Sequence, residues 1–293
     1  MSVCFVVNPV AGKNRARNLI PYIKEKMKKT DIKYKIIETT KPKEAIEITK
    51  NALGKGFDII VAVGGDGTIN EVMIGIVEMG KGILGIIPGG TGNDLARTLN
   101  IPENVKYALD LIIDRKVKSI DLGYADGKPF LNVASIGFDA EIVKNTEKIK
   151  RYVKSKFAYT VGLLVTLISY KCKKIKVKLD DRELNEEILL IAIGNGKYYG
   201  GGMAICPNAV EDDGLSEICF IKKIPKLKLL LLFPSIFKGK HGEFKKYVQF
   251  YKSKEVKVNM CNPISLNIDG EIFDVDDEII FTMKRKSIEV IAQ

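Results

Sequence analysis

Five short segments of this chain carry residue types and spacings that could do chemistry. Asn8-Pro9-Val10-Ala11-Gly12-Lys13 follows an apolar run, Val3–Val7. At a strand-to-helix junction, Gly12 and Lys13 would offer free backbone N–H groups and a cation to an anion. An ordinary turn suits the same residues. Gly64-Gly65-Asp66-Gly67-Thr68 lies between a second apolar run, Asp58–Val63, and an apolar helical pattern. Its glycines let the backbone approach a ligand, and a helix start behind them favours phosphate. The segment is neither G-x-G-x-x-G nor a loop ending in G-K-[ST]. Asp66 would repel a phosphate unless a cation intervenes, or unless it orients ribose or water. Pro88-Gly89-Gly90-Thr91-Gly92-Asn93-Asp94 repeats the arrangement, after Gly82–Ile87 and before a short helix, Asp94–Leu99. Ligands of open α/β sheets bind at the carboxyl ends of the strands, so two successive glycine-rich loops form one site. Glu211-Asp212-Asp213-Gly214-Leu215 suits a hard cation through carboxylates and backbone carbonyls, and suits a solvated hairpin turn equally. Asn267-Ile268-Asp269-Gly270-Glu271 carries the Asp-Gly hairpin signal. That segment alone does not separate a catalytic Glu271 from a turn residue.

Other chemistries are excluded by scarcity. His241 is the only histidine, which removes His-based metal sites and Ser-His-Asp triads. The cysteines, Cys4, Cys172, Cys206, Cys219 and Cys261, are odd in number, scattered and without a C-x-x-C pair. They speak against a disulfide framework or structural zinc and for a reducing cytoplasm. With 47 basic and 36 acidic residues the net charge is +11, and 46% of residues are hydrophobic. That composition is globular. No apolar stretch reaches about 18 residues, so a spanning helix is not expected. The N-terminus lacks the basic region of a signal peptide. The positive charge suits nucleic acid, an anionic membrane or a plain lysine-rich surface, and no nucleic-acid motif accompanies it.

The elements that must position these segments change character along the chain. Up to about residue 100, strand-like runs (Val3–Val7, Lys33–Glu38, Asp58–Val63, Gly82–Ile87) alternate with helical patterns. These helices are Arg15–Lys29, with Pro21 in its first turn or at a kink, one starting at Thr40-Lys41-Pro42, and Ile69–Met79. Alternating βαβ units imply a parallel sheet. After Asp121 the strands become closely spaced: Val177–Leu179, Ile188–Ile193, Leu215–Ile221, Tyr247–Tyr251, Val256–Met260 and Ile264–Ile268. This reads as an antiparallel sheet or sandwich, interrupted by helical stretches at about 140–170 and 225–240. The domain boundary falls near Leu122–Lys128.

Taken together, the motifs resemble those of the bacterial diacylglycerol kinase-like lipid kinases, whose catalytic core is shared by sphingosine, ceramide and diacylglycerol kinases. The resemblance rests on NPVAGK at 8–13, GGDGTINEV at 64–72, IPGGTGNDLART at 87–98, GFDAEIV at 137–143, EDDGLSEI at 211–218 and NIDGE at 267–271. GGDGT alone is shared with NAD kinases and phosphofructokinase-like proteins. GGDGT followed by PGGTGNDLAR is far more specific. The resemblance implies a three-layer, phosphofructokinase-like α/β nucleotide domain with a parallel sheet over 1–123, completed by 284–293. It implies an antiparallel β-sandwich lipid-substrate domain over 124–283. ATP would lie on the glycine loops, between the domains, with contacts on Asn8, Lys13, Thr40, Gly64, Gly65, Asp66, Gly67, Thr68, Gly90 and Thr91. Glu271 would be the general base, and Asp66 and Asp94 acids of an aspartate–water–magnesium network. A Mg²⁺ would be held near Asp213 with the carbonyls of Val210 and Leu215.

The resemblance sharpens the charge as well. Lys144, Lys148, Lys150, Arg151, Lys154 and Lys156 precede the apolar run Phe157–Ile168, and Lys222, Lys223, Lys226 and Lys228 flank Leu229–Phe233. Basic residues beside short apolar stretches suit peripheral contact with an anionic membrane surface. Core helices with wet lysines fit the same pattern. The expected reaction is ATP- and Mg²⁺-dependent phosphorylation of a membrane lipid hydroxyl, diacylglycerol first, by a cytoplasmic, peripherally membrane-associated enzyme without nucleic acid. The family allows a homodimer. Other lipids, an NAD kinase-like soluble phosphotransferase and a non-catalytic nucleotide- or lipid-binding protein are the competing readings.

Overall fold

The computed structural model describes residues 1–149, 165–166 and 169–293. They divide into two compact units. The first comprises Met1–Leu122, Gly200–Gly202 and Arg285–Gln293. In it β1 (Ser2–Val7) leads to α1 (Ala11–Asn18) and α2 (Ile20–Met27), then β2 (Lys33–Glu38), α3 (Glu44–Gly54) and β3 (Ile59–Gly64). There follow α4 (Asp66–Met79), β4 (Ile83–Pro88), α5 (Asp94–Thr98), α6 (Val105–Ile113) and β5 (Val117–Ala125), whose last three residues belong to the second unit. The parallel order is β2-β1-β3-β4, and near the C-terminus Glu289 and Val290 add in parallel beside Ile83 and Leu84. Every residue of β1, β3 and β4 is buried. Strands covered on both faces read as continuous apolar runs, because neither face meets water. Pro21 lies in the first turn of α2, where its missing N–H breaks no helical bond. The expected single helix Arg15–Lys29 is therefore two, joined at Leu19.

The second unit comprises Gly123–Tyr199 and Met203–Lys284. It holds β6 (Lys128–Phe130), β7 (Val133–Gly137), α7 (Phe138–Ile149), β8 (Lys173–Lys178), β9 (Glu183–Gly194) and β10 (Ser216–Lys222). It continues through α8 (Lys226–Phe237), β11 (Val248–Ser253), β12 (Glu255–Met260), β13 (Ile264–Ile268), β14 (Glu271–Val275) and the start of β15 (Glu278–Ile291). Its neighbours are antiparallel: β14-β13-β7-β9-β8-β12-β15, with β10 beside β9 and β11 beside β10. This is the expected antiparallel β-sandwich. One apolar cluster, with Phe130, Phe220 and Phe281 fully buried, fills its interior. A second joins the other face of β9 and β10 to α7 and α8 through Phe138, Leu190, Leu232 and Ile236. All six strands read between Val177 and Ile268 are present. The helical stretch expected at about 140–170 begins as α7. Its basic and apolar continuation, Lys150 to Lys156 and most of Phe157–Ile168, lies outside the described residues.

Candidate active site

Three loops meet at the carboxyl ends of β1, β3 and β4, backbone against backbone. A Cβ on Gly12 would lie 2.2 Å from the Gly89 carbonyl oxygen, and one on Gly90 would lie 2.3 Å from Gly65 Cα. Glycine stands there because any side chain would hold the loops apart. The chain enters α1 through three consecutive left-handed residues, Gly12 (φ 58°), Lys13 (φ 58°) and Asn14 (φ 71°). Hydrogen bonds lock the loops together. Gly89 N–H donates to Gly64 O at 2.7 Å, Asn8 N–H to Val63 O at 3.0 Å, and Asn8 Nδ2 to Thr68 Oγ1 at 3.2 Å. Asn93, left-handed at φ 53°, folds its amide onto Gly90, accepting from its N–H at 3.0 Å and donating to its carbonyl at 3.3 Å. The 14-residue α4 begins on this floor at Asp66, with Gly65 before it and no side chain capping its first N–H groups. Such an end carries the partial positive charge that suits phosphate.

Two carboxylates border the floor. Asp66 Oδ1 accepts the Leu95 N–H at 3.2 Å and so caps α5. Asp94 is 4% exposed. Its Oδ2 accepts the Gly201 N–H at 2.7 Å and its Oδ1 pairs with Arg97 at 2.9 Å. Burial pushes the Asp94 carboxyl above its ordinary range; the Gly201 N–H pulls it back, Asp66 pushes it further up and Arg97 pulls it down. Both Oδ2 atoms border Gly92: a Cβ there would lie 2.9 Å from that of Asp66 and 3.4 Å from that of Asp94. Two carboxylates beside one glycine are a donor set that fits a hydrated divalent cation.

Around them, Lys13, Thr40 and Thr91 are exposed. Thr40 is held by Glu44, whose carboxylate accepts its N–H at 2.5 Å and its hydroxyl at 2.9 Å. Glu71 accepts the N–H groups of Lys43 (3.0 Å) and Ala45 (3.1 Å), capping α3. Sequence reasoning missed both supports. Glu44 lies four residues beyond Thr40 and could have been found, whereas Glu71 carries no local signal. The Gly201 N–H that Asp94 accepts comes from a glycine-rich stretch some 107 residues further along the chain, a partner with no local signal at Asp94.

In the second unit, Glu271 is the first residue of β14, half-buried, directly after a two-residue turn with both central residues left-handed, Asp269 (φ 46°) and Gly270 (φ 97°). The turn is pinned from outside. The Asp269 carboxylate collects the N–H groups of Leu131 at 2.7 Å and of Asn132 and Val133 at 3.0 Å. Asn267 Oδ1 accepts the Gly270 N–H at 2.9 Å. The Asp-Gly signal predicts the turn but not this anchor, because its partners lie some 137 residues earlier in the chain.

In the Val210–Leu215 turn, both carboxylate oxygens of Asp213 have protein partners. Asp213 Oδ1 accepts the Leu215 N–H at 3.0 Å, and Oδ2 pairs with Lys252 Nζ at 2.7 Å. The charge of Asp213 is therefore met by an ammonium. A Mg²⁺ at this turn would have to displace Lys252 from Asp213 Oδ2.

Residues 2–125 match the diacylglycerol kinase catalytic domain, and residues 132–279 match the YegS C-terminal NAD kinase beta sandwich-like domain. A diacylglycerol kinase of Staphylococcus saprophyticus is 30% identical over 267 residues, covering 91% of this chain and 87% of that protein. A diacylglycerol kinase of Bacillus subtilis is 28% identical over 268 residues, covering 91% and 88%. The crystal structure of a candidate diacylglycerol kinase from Bacillus anthracis superposes with a TM-score of 0.80 at 27% identity, covering 100% of this chain and 95% of the other. The chain belongs to the diacylglycerol kinase family of lipid kinases.

Proposed function

We propose that this chain transfers the γ-phosphoryl group of ATP to the hydroxyl of a membrane lipid, diacylglycerol first, giving phosphatidic acid. The observation that carries the reading is the glycine floor, where Gly12, Gly65, Gly89 and Gly90 touch without side chains below the open start of α4. Phosphoryl transfer needs little covalent help from a protein, and positioning and charge stabilisation supply most of the rate. Asn8, Gly64, Gly65, Gly67, Thr68, Gly90 and Thr91 would cradle the phosphates, with Lys13 adding a cation and Thr40 a contact toward the nucleoside. Asp66 and Asp94 would hold, through water, the Mg²⁺ that accompanies ATP, which supplies charge neutralisation on the phosphate oxygens. Glu271 takes the proton from the lipid hydroxyl as its oxygen bonds to the γ-phosphorus and the bond to ADP breaks. The rigid turn beneath Glu271 supports that role, since a base must be held in place.

The test is transfer of labelled γ-phosphate into mixed micelles offering diacylglycerol, monoacylglycerol, phosphatidylglycerol, ceramide or sphingosine, with NAD as a soluble control. Label in diacylglycerol is the expected result. Label in another lipid keeps the mechanism and changes the acceptor. Label in NAD alone, or ATP binding without transfer to any of them, overturns the reading.

A further inference from the structure

α8 is apolar on both sides. Leu229, Leu232 and Ile236 are buried in the outer cluster of the sandwich. Leu227, Leu230, Leu231 and Phe237 are 81%, 53%, 69% and 48% exposed. At about 100° per residue these four and the exposed Pro234 form one stripe on the side opposite the buried residues. Single exposed leucines are ordinary, but a contiguous stripe is a contact surface awaiting its partner. The surroundings say which partner. Between positions 222 and 246 the chain has eight lysines and one carboxylate, Glu243. Lys226 and Lys228 flank the stripe at the start of α8, and Lys238 and Lys240 follow its end. Lys228 is steadied by Tyr247, with Nζ 3.4 Å from the hydroxyl and 5.4 Å from the ring centroid. No acidic residue lies within the helix.

We propose that the outer face of α8 lies on an anionic lipid leaflet, with its leucines at the acyl boundary and its lysines among the headgroups. The purpose of such docking rests on the lipid-kinase reading, whereas its physical basis does not. An interfacial helix needs an apolar face of this width and a cationic border, and both are present. A second copy of the chain is the poorer occupant. A two-fold contact would set one lysine-rich border against the same border: Glu186 and Glu187 already pair with Lys222 and Lys223, and Glu243 is the one further carboxylate between positions 222 and 246.

The experiment is flotation with phosphatidylcholine vesicles, with and without phosphatidylglycerol, for the wild type, the double variant Leu230→Asp/Leu231→Asp, and Lys226→Glu. Turnover on a short-chain, water-soluble diacylglycerol is measured beside it. Both leucines are exposed, so the variant should keep its circular dichroism spectrum and melting temperature. The expected result is binding of the wild type to anionic vesicles only, weakened by salt, at least about tenfold weaker in the leucine variant and about fivefold weaker or more in Lys226→Glu, with short-chain turnover unchanged. Equal flotation of wild type and leucine variant overturns the proposal, as does a wild type that ignores anionic vesicles. A wild-type dimer that the leucine substitutions split overturns it in favour of a second copy. Stripe-dependent flotation without turnover on any lipid leaves the docking face standing and removes the kinase reading.

Discussion

Asp66, Asp94 and Glu271 are carboxylates in different surroundings. Asp94 is buried, and its carboxyl is raised by that burial, helped by Asp66. A group whose folded value lies above its unfolded one stabilises the fold below the ordinary carboxylate range and loses that contribution as pH rises through the folded value. Ionised Asp94 therefore costs stability at neutral pH. Asp94→Asn is expected to raise the melting temperature at pH 7 while lowering turnover, with the thermal difference shrinking toward pH 3; thermal scans across that range check the sign, and a lower melting temperature at pH 7 contradicts it. Glu271→Gln is expected to reduce kcat by about 10²–10⁴-fold while leaving the ATP dissociation constant within about twofold. Steady-state kinetics and calorimetry separate the cases, because a rise in the ATP constant alone would make Glu271 a binding residue. Asp66 and Asp94 stand out in the sequence as acids among glycines, whereas Glu271 is singled out only by the family resemblance. What stayed hidden were residues acting across the chain. Asp269 looks like any turn aspartate until its carboxylate is seen gathering the N–H groups of Leu131, Asn132 and Val133.

The buried strands of the first unit were readable because two covered faces demand unbroken apolar runs, as in IIVAV of β3. Elements with weaker patterns escaped. β14 is only partly buried along its length, and of β15 only the end, within 284–293, was expected, because the exposed, basic stretch Lys284-Arg285-Lys286 breaks its apolar signal. α6 has a legible start in Asn104, whose side chain accepts the Lys106 N–H at 2.9 Å. The loops make the sharpest prediction at this scale. Gly90→Ala would press a Cβ into Gly65 Cα; it is expected to cost about 1–3 kcal/mol of stability and to abolish measurable ATP binding, checked by denaturant titration and calorimetry. Full ATP affinity in a folded Gly90→Ala protein would mean that the loop contact does not shape the site. For the Val210–Leu215 turn, the wild-type melting temperature is expected to be insensitive to Mg²⁺ or chelator. Lys252→Met should melt lower and recover on adding Mg²⁺, since Asp213 then lacks its cation. A Mg²⁺-dependent wild type would restore the metal to this turn.

At the scale of the molecule, composition gave the net charge of +11 without its location. The described residues place part of it around α8, whose leucines face both inward and outward, a division that a one-dimensional pattern of lysines and leucines does not distinguish. Among the described residues no helix is long and apolar enough to cross a membrane. The fold class was legible because the period of the pattern changes near residue 122, from βαβ units to closely spaced strands. The central claim is that the glycine floor with Asp66 presents ATP to a lipid hydroxyl. It is tested most directly by measuring labelled γ-phosphate entering diacylglycerol in mixed micelles, with wild type and Asp66→Ala in parallel. The account predicts transfer by the wild type and a loss of about 10³-fold or more in the variant, whose folding stability falls only by the lost α5 cap, about 1 kcal/mol. Equal transfer by both proteins, or none by the wild type, would contradict it.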